Sequence, residues 1–358
     1  MKLFWVLVTC CFFGNVTFAS TEGEKSRSAN VQVLFVNPGF SDESFWGDVD
    51  KYAIAAAQSL DIQLEIIHGQ RDRILTQQKL AERMKKAPEP DFVILVNEKG
   101  SGQNLLEPIA PRASKVTFAL NDLTASEKRI IYANPKYAHR LLPGVFPNNY
   151  NIGYLSAQSL FSSGGSVPGD FVLISGDKNT PASINREAGA TSFIMQEERV
   201  SLSQRVYGDW QESIAYEQAK VLLNRHKDIR YLWTANDHMA FGAIRALEDA
   251  GLEAGEDVFI GTINTSAEVL NALAQKQIAS LSGGHFTAVG LALVKIYHYA
   301  NGEPWPQRTK YNLFQPIMYP SDLFDIIKQK DWNNIDFKRI DIRANPINPF
   351  SPQLGEAQ

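Results

Sequence analysis

The chain has 358 residues, a net charge of −4 at pH 7 and a hydrophobic content of 44%. The slightly acidic balance excludes a nucleic-acid-binding surface, which needs a basic stripe, and it argues against attachment to anionic lipid. The hydrophobic content suffices for a buried core, and the length is long for a single core, so we expect two domains.

Residues 1–19 have the pattern of a signal peptide. Lys2 is followed by an apolar core over 3–13, and Thr17-Phe18-Ala19 provides small residues for cleavage. The segment is shorter than a membrane-spanning helix, and a retained anchor is the alternative interpretation. We therefore expect export to the periplasm, with a disordered polar lead-in at residues 20–30.

From residue 31 onward, short apolar runs rich in β-branched or aromatic residues alternate with segments of helical period. The predicted strands are 31–36, 63–67, 92–96 and 115–120, then 171–174, 201–206, 231–233, 258–261 and 278–281. The predicted helices are 44–60, 76–86 and 104–113, then 184–196, 211–225, 238–250 and 267–275. This alternation predicts an α/β fold of doubly wound parallel sheets, with a ligand crevice at the carboxyl ends of the strands.

The alternation breaks at three places, which suggests two lobes joined by a three-stranded hinge. The breaks are a Pro- and Asn-rich stretch at 129–150, Ser282-Gly283-Gly284, and residues 311–320. We predict an N-terminal lobe of residues 31–135 plus 285–312 and a C-terminal lobe of residues 136–284 plus 313–340. Residues 341–358 are expected to form a tail, with its last dozen residues mobile.

Polar residues stand directly after predicted strands in both halves, as Asn121, Asn236 and Asn264 illustrate. In an open parallel sheet these positions face one crevice, so the chain is expected to hold a small polar molecule. Asn236 also begins a helix, where capping is the alternative role, and turn formation is the alternative for Asn121 and Asn264.

Several motifs occur in one order along the chain. They are Val33-Leu-Phe-Val-Asn37-Pro-Gly-Phe40 followed by Phe45-Trp46, Asn185-Arg186-Glu-Ala-Gly189, Asn236-Asp237-His-Met-Ala240-Phe-Gly242-Ala243, and Ile260-Gly-Thr-Ile-Asn264-Thr-Ser266. Together they resemble the ribose-type periplasmic binding proteins over residues 31–330. The resemblance implies a solute receptor whose two α/β lobes close around a ligand.

The chain also resembles the receptors for the autoinducer-2 signal. The matching features are Pro38-Gly39 leading to Phe45-Trp46, Asn121, and Ser266-Ala267-Glu268. One departure is Gly283, which stands where those receptors carry a second ligand-binding arginine. With only Arg186 left, a neutral polyol is easier to accommodate than a borate diester.

Aromatic rings suit the flat C–H faces of sugars, and planar polar groups suit their hydroxyls. Trp46, Phe45 and Phe40 stand near the first helix, and Trp210 is expected to stack on the opposite face of the sugar. Arg186 is expected to bind vicinal hydroxyls through its fork of donors, as the resemblance also implies. The alternative for the aromatic residues is core packing, and for Arg186 a surface position.

Further candidates are weaker versions of the same pattern. Asn97 and Asp122 follow strands, and His285 lies beside the second break, where it could donate one hydrogen bond. The full set of predicted ligand-binding residues is Phe40, Phe45, Trp46, Asn97, Asn121, Asp122, Arg186, Trp210, Asn236, Asn264 and His285.

Signatures of catalysis and of cofactor binding are missing. The six histidines show no metal-ligand spacing, and neither a Gly-x-Ser-x-Gly elbow nor a phosphate-binding glycine loop occurs. Both cysteines, Cys10 and Cys11, lie in the predicted leader, so the mature chain is expected to lack thiol chemistry. We therefore expect no enzyme activity, no cofactor and no metal site.

Two outputs are consistent with a solute receptor. In the first, a monomeric periplasmic protein presents a sugar or polyol to the permease of an ATP-driven importer. In the second, the ligand is a cue, and the partner is a membrane sensor kinase. An exported hydrolase is disfavoured by the missing catalytic residues, and a gene regulator by the export leader in place of a helix-turn-helix.

Overall fold

The computed structural model describes residues 31–341 together with residues 1, 343 and 350. The predicted signal peptide beyond residue 1, the predicted lead-in and most of the predicted tail lie outside these residues. Within the part of the chain described, every helix is too short or too polar to cross a lipid bilayer.

The first half of the chain alternates strands and helices as the sequence predicts. Its elements are β1 (Gln32–Asn37), α1 (Ser44–Ser59), β2 (Gln63–His68), α2 (Arg73–Arg83), β3 (Phe92–Leu95), α3 (Gly102–Leu106), β4 (Lys115–Ala119), α4 (Ala125–Ala133), α5 (Pro135–Ala138) and β5 (Leu141–Pro147).

The second half continues this alternation to the end of the described chain. Its elements are α6 (Asn149–Ser163), β6 (Gly169–Ser175), α7 (Pro181–Gln196), β7 (Val200–Tyr207), α8 (Glu212–Arg225), β8 (Ile229–Thr234), α9 (Asp237–Asp249), β9 (Phe259–Ile263), α10 (Ala267–Ala274), β10 (Ser280–Gly283), α11 (Ala288–Ala300), β11 (Lys310–Tyr311), β12 (Gln315–Ile317) and α12 (Asp322–Gln329).

The strands form two six-stranded sheets. The first has the order β11-β5-β4-β3-β1-β2 and the second the order β12-β10-β9-β8-β6-β7. All pairings are parallel except that of β12, which runs antiparallel to β10. Central strands such as β3 are buried along their whole length, as expected for parallel sheets covered by helices on both faces. The predicted fold class of two doubly wound α/β lobes is confirmed.

The chain passes between the two sheets three times. The passages follow β5, follow β10, and lie between β11 and β12. We call the first sheet with its helices the first lobe and the second sheet with its helices the second lobe. Helix α11 belongs to the first lobe, because its residue Gly290 contacts Tyr52 of α1 closely enough that a Cβ there would lie 2.5 Å from the ring.

The sequence suggests that residues 129–150 are turn and loop, but part of this range forms strand β5. The strand pairs with β4 around an irregularity between Thr117 and Ala119. Pro143 and Gly144 looked like turn residues, but a shift of register accommodates them, and a Cβ at Gly144 would lie 2.4 Å from the Phe118 carbonyl. The first lobe therefore extends to Pro147 and does not end at residue 135.

The segment after α12 corrects the other lobe boundary. It returns to helix α1 of the first lobe, where the ring of Tyr52 lies 5.6 Å from Trp332 and 5.2 Å from Phe337. The Lys330 ammonium, at the end of α12, lies 2.6 Å from the Asp48 carboxylate of α1. The sequence predicts that residues 331–340 belong to the C-terminal lobe. Their aromatic side chains instead pack against α1 of the first lobe.

The buried side chain of Lys295 holds β5 in place through hydrogen bonds to its backbone. The Lys295 side chain from α11 is fully buried, and its ammonium donates to the carbonyls of Pro143, Gly144 and Arg308 at 3.0, 3.1 and 3.1 Å. Burial lowers the pKa of this ammonium to about 7. The lysine thus joins the strand before the first passage to the segment before β11.

Candidate ligand-binding site

A cavity lies between the carboxyl ends of the two sheets, where both lobes contribute side chains. It contains about 580 Å³ of empty space, its open mouth included. The first lobe contributes Glu43, Phe45, Trp46, Arg71, Glu98, Leu120, Asn121, Pro147 and His285, and the second lobe contributes Asn149, Thr180, Ala182, Arg186, Trp210, Asn236, His238 and Asn264. Clefts between two domains are a common place for small ligands to bind.

Stacked rings form one wall of the cavity. The His285 ring lies 4.6 Å from the ring of Phe45 and 4.6 Å from that of Phe314, stacked on both. Burial, assisted by the charge of Arg186, lowers the pKa of His285 well below its usual value. Its Nδ1 is buried and has no hydrogen-bond partner in the described structure. A neutral ring with an unpaired nitrogen at a cavity wall is suited to a ligand hydroxyl.

Trp46 presents a second unpaired nitrogen. Its ring packs on the turn after β1, where a Cβ at Gly39 would lie 2.2 Å from Trp46 Cδ1. Only glycine at position 39 lets the ring approach the backbone so closely. The Trp46 Nε1 is buried and has no partner among the described residues. Because Trp46 lines the cavity, a ligand acceptor is the natural partner for this donor.

Arg71 and two glutamates form the polar wall of the first lobe. The Arg71 guanidinium pairs with Glu43, lies 3.5 Å from Glu98 and sits 5.8 Å above the Trp46 ring. Burial raises the pKa of Glu98, while Arg71 opposes that shift. The Asn121 amide nitrogen donates to Glu98 at 3.1 Å, so the pair of acids is held by an arginine and an amide.

Arg186 is the corresponding cation of the second lobe. Its Nε donates to Asn149 Oδ1 at 2.9 Å, its Nη1 donates to the Ala235 carbonyl at 2.8 Å, and it lies 5.4 Å from the Phe314 ring. Burial lowers its pKa to about 9, and Asp237 opposes that shift, so the guanidinium stays charged at neutral pH. The two bonds hold its fork at the cavity wall, where hydroxyls can accept from it.

Trp210 presents its ring face to the cavity. A Cβ at Gly176 would lie 2.3 Å from Trp210 Cζ2, so the ring rests on the backbone of the β6–α7 loop. Its Nε1 donates to Asp177 at 2.6 Å. Burial disfavours ionisation of Asp177, but hydrogen bonds from Thr180 and Trp210 outweigh it and keep the pKa below its usual value. With its N–H bonded to Asp177, Trp210 can offer a ligand only its face.

Two asparagines of the second lobe complete the wall. Asn236 caps α9, because its Oδ1 accepts from the Met239 N–H at 3.0 Å. Its amide also reaches the Trp210 carbonyl at 3.4 Å. Asn264 donates to Asp237 at 2.8 Å. Capping, the alternative considered for Asn236, is therefore present, and capping does not remove the residue from the cavity wall.

A sequence model of the family described as "Periplasmic binding protein domain" matches residues 33–304. The chain belongs to this family. The predicted resemblance to ribose- and galactose-type members is thereby confirmed, and so is the prediction of a binding protein, because the family is not enzymatic. The likeness to autoinducer-2 receptors stays a prediction.

Proteins that are similar to this chain include periplasmic sugar-binding proteins. The D-allose-binding periplasmic protein of Escherichia coli is 25% identical over 219 residues, which cover 61% of this chain and 68% of that protein. A periplasmic sugar-binding protein from Pseudomonas fluorescens has a solved structure with a TM-score of 0.79 and 28% identity, covering 91% of this chain and all of that one. The fructose-binding periplasmic domain of a hybrid two-component system has a TM-score of 0.68 at 16% identity, covering 84% and 94% of the two chains, and shares the fold.

Eight of the residues predicted to bind the ligand line the cavity of the present protein. They are Phe45, Trp46, Asn121, Arg186, Trp210, Asn236, Asn264 and His285. Their contacts with a ligand stay a prediction. In the described chain, no group of three or more His, Cys, Asp or Glu side chains is placed to hold a metal ion.

Three predicted residues lie elsewhere. Asn97 is fully buried and accepts from the Gly102 N–H at 2.7 Å while donating to Glu127 at 2.8 Å, so it organises the loop after β3. Asp122 bonds Lys128 at 2.5 Å outside the cavity. Phe40 is 43% exposed and lies in a groove at the cleft entrance. Local hydrogen bonds turn the first two away from the crevice that the strand ends define.

The sequence pattern did not predict the polar wall of the first lobe or three polar residues of the second lobe. The missed residues are Glu43, Arg71, Glu98, Asn149, Thr180 and His238. Arg71 follows β2 in the same strand-end position that identified the asparagines, so its place in the chain was a usable signal. Glu43 gave no such signal, because it precedes a helix at the surface end of a loop.

The lobes contact each other at the cavity mouth. Ser44 Oγ lies 3.1 Å from His238 Nε2, and the Lys99 ammonium lies 3.7 Å from Asp209. Each pair joins one lobe to the other, so the structure is a closed form of the cleft.

Proposed function

We propose that the protein is a periplasmic receptor that encloses one neutral sugar between its lobes and presents it to an ATP-driven importer. The observation that carries this proposal is the chemistry of the cavity. Aromatic faces come from both lobes, and two buried ring nitrogens, the Trp46 donor Nε1 and His285 Nδ1, lack partners in the described structure. Rings for C–H faces and planar groups for hydroxyls are the combination that carbohydrate recognition needs.

The charges in the cavity favour a neutral ligand. The cavity wall contains two glutamates, Glu43 and Glu98, and two arginines, Arg71 and Arg186, so its formal charges balance. A phosphate or a sugar acid would add an unbalanced charge to a buried site, which costs free energy unless a further cation pairs with it. The name of the D-allose-binding relative supports a sugar as the ligand.

The test is a thermal-shift screen of the purified exported protein with D-allose, D-ribose, D-galactose, D-fructose, L-arabinose and their phosphates and acids. A ligand at 100 times its Kd stabilises the fold by about 2.7 kcal/mol. We expect one or more neutral sugars to raise the Tm and their charged derivatives to leave it unchanged. Failure of every neutral sugar, or a larger shift with a sugar acid, would contradict the proposal.

Sensing is the second candidate function. It is favoured by the shared fold with the fructose-binding domain of a hybrid two-component system, in which such a domain serves a signalling protein. The two outputs predict different phenotypes for a strain lacking this chain. Loss of labelled-sugar uptake supports transport, whereas intact uptake with loss of a sugar-induced transcriptional response supports sensing.

Export is part of the same proposal. The leader pattern of residues 1–19 and the periplasmic location of the D-allose-binding relative support it. We expect the amino-terminal residue of the protein purified from a periplasmic extract to be Ser20. Recovery of the chain only in the membrane fraction with residue 1 intact would instead support a retained anchor.

A further inference from the structure

A second depression lies directly outside the cavity, at the mouth of the cleft. We call it the outer groove, and it is lined by side chains it shares with the cavity together with Phe40, Lys99, Asp209, Gln211, Glu212, Ser213 and Arg245. The shared side chains are Glu43, Arg71, Trp210 and His238. Two spaces that share four wall residues are neighbours, so a substituent on a ligand in the cavity can continue into the groove.

The groove offers an exposed ring in polar surroundings. Phe40 is 43% exposed, whereas Trp46 at the cavity wall is 3% exposed. The turn before α1 holds Phe40, because the Glu43 N–H donates to the Phe40 carbonyl at 3.4 Å. On the opposite lobe, Trp210 lines both spaces. An open aromatic face beside polar groups repeats, on a smaller scale, the chemistry of the cavity.

The charges of the groove are balanced. Glu43, Asp209 and Glu212 oppose Arg71, Lys99 and Arg245 among its lining residues. An anion therefore gains no net attraction. A neutral, hydroxyl-rich unit with one apolar face fits this surface best.

Strained backbone flanks the boundary between the two spaces. Gln70 and Arg71 have φ of 54° and 61° in the first lobe, and Asp209 and Trp210 have φ of 47° and 64° in the second. Left-handed backbone at non-glycine residues costs free energy and is concentrated at binding and switch sites. Arg71 and Trp210, one from each lobe, line both the cavity and the groove.

We propose that the outer groove is a second sugar subsite, and that the ligand is a disaccharide or other glycoside. Its terminal unit occupies the cavity, and its next unit packs on Phe40 between the lobes. This inference rests on the proposed function, since it assigns a sugar to the cavity. An occupant of the groove touches both lobes and therefore adds to the stability of the closed form.

The test compares each monosaccharide that binds with its methyl glycosides, phenyl glycosides and disaccharides, by isothermal titration calorimetry on the exported protein. We expect at least one glycoside to bind about tenfold tighter than its own terminal sugar, because an added aromatic contact and new hydrogen bonds are gained. Phe40→Ala is expected to remove most of that gain while leaving the Kd of the monosaccharide within about twofold.

Tyr132→Ala is the control, because Tyr132 is 54% exposed on α4 and lies outside both spaces. It should alter neither affinity. If every glycoside binds more weakly than its free sugar, or if Phe40→Ala weakens both ligands alike, the subsite is refuted while the proposed function stands. If no sugar of any length binds, the proposed function fails, and the subsite fails with it.

Discussion

Gly176 sets the distance between the Trp210 ring and the backbone behind it. A methyl group at this position would lie 2.3 Å from Trp210 Cζ2 and 2.4 Å from Cε2, and ordinary contact begins near 3.4 Å. In Gly176→Ala the ring must therefore move by about 1 Å away from this loop, and Trp210 lines the cavity, so the site changes shape. The backbone of Gly176 is not among those with positive φ, so alanine adds no backbone strain of its own.

The displacement has two measurable effects. Forcing a methyl group into a packed position costs about 1–3 kcal/mol of folding free energy. The moved ring also narrows the cavity and pulls on its 2.6 Å bond to Asp177. If about 1.4 kcal/mol of the cost falls on the complex, the affinity drops tenfold. We expect a lower free energy of unfolding together with a Kd at least about tenfold higher.

The assay is calorimetric titration of the variant with the sugar identified in the thermal screen, beside urea unfolding of both proteins. Gly261→Ala is the matched control, since a methyl group there would lie 3.0 Å from Leu160 in the interior of the second lobe. The control should lose stability and keep its affinity. Should Gly176→Ala bind sugar within about twofold of the wild type while losing stability, Trp210 does not form part of the site.

Three further results are expected. Between about pH 7 and 10 the unfolded chain binds more protons at Lys295 than the folded chain does, because burial lowers the pKa of this ammonium. The free energy of unfolding should therefore rise with pH by up to about 1.4 kcal/mol per pH unit. Urea titrations of Lys295→Met should show a smaller rise. Lys330→Met leaves Asp48 buried without its cation and should cost about 3–5 kcal/mol in the same assay, with Asp48→Asn restoring part of the loss. Because His285 has a pKa well below its usual value, sugar affinity should stay flat from pH 8 to 6 by calorimetry, and a steep loss near pH 6.5 would show that His285 is protonated there.

The order of strands and helices could be predicted because each element carries its own period. Strand β3, Phe92–Leu95, is a run of four buried apolar residues, and α9 follows β8 with a cap at Asn236. Strand β5 could not be predicted in the same way, because Pro143 and Gly144 contradict the local rule for strands. Its place depends on Lys295 and on the edge of β4, both distant in sequence.

The site was predictable to the extent that it depends on strand ends. Asn121 and Asn264 follow β4 and β9 and line the cavity, as their positions indicated. Asn97 follows β3 in an equivalent position, but its side-chain oxygen accepts from Gly102 in the same loop and its side-chain nitrogen donates to Glu127 of α4. Whether a side chain at a strand end faces the crevice or the loop depends on its hydrogen bonds to residues elsewhere in the chain. The hydrophobic period of the sequence does not predict those hydrogen bonds.

The contacts that close the cleft are weak, and this weakness matters for a receptor. The Lys99–Asp209 pair is 3.7 Å long between partly exposed side chains, and such surface pairs contribute about 0–1 kcal/mol. The contact between Ser44 and His238 is a single hydrogen bond at 3.1 Å. If the lobes held each other tightly, the cleft would close with or without ligand. The closed shape would then not distinguish the ligand-bound protein from the free protein. Because these two mouth contacts contribute little, a ligand that bonds to both walls at once would add substantially to the free energy that favours the closed form.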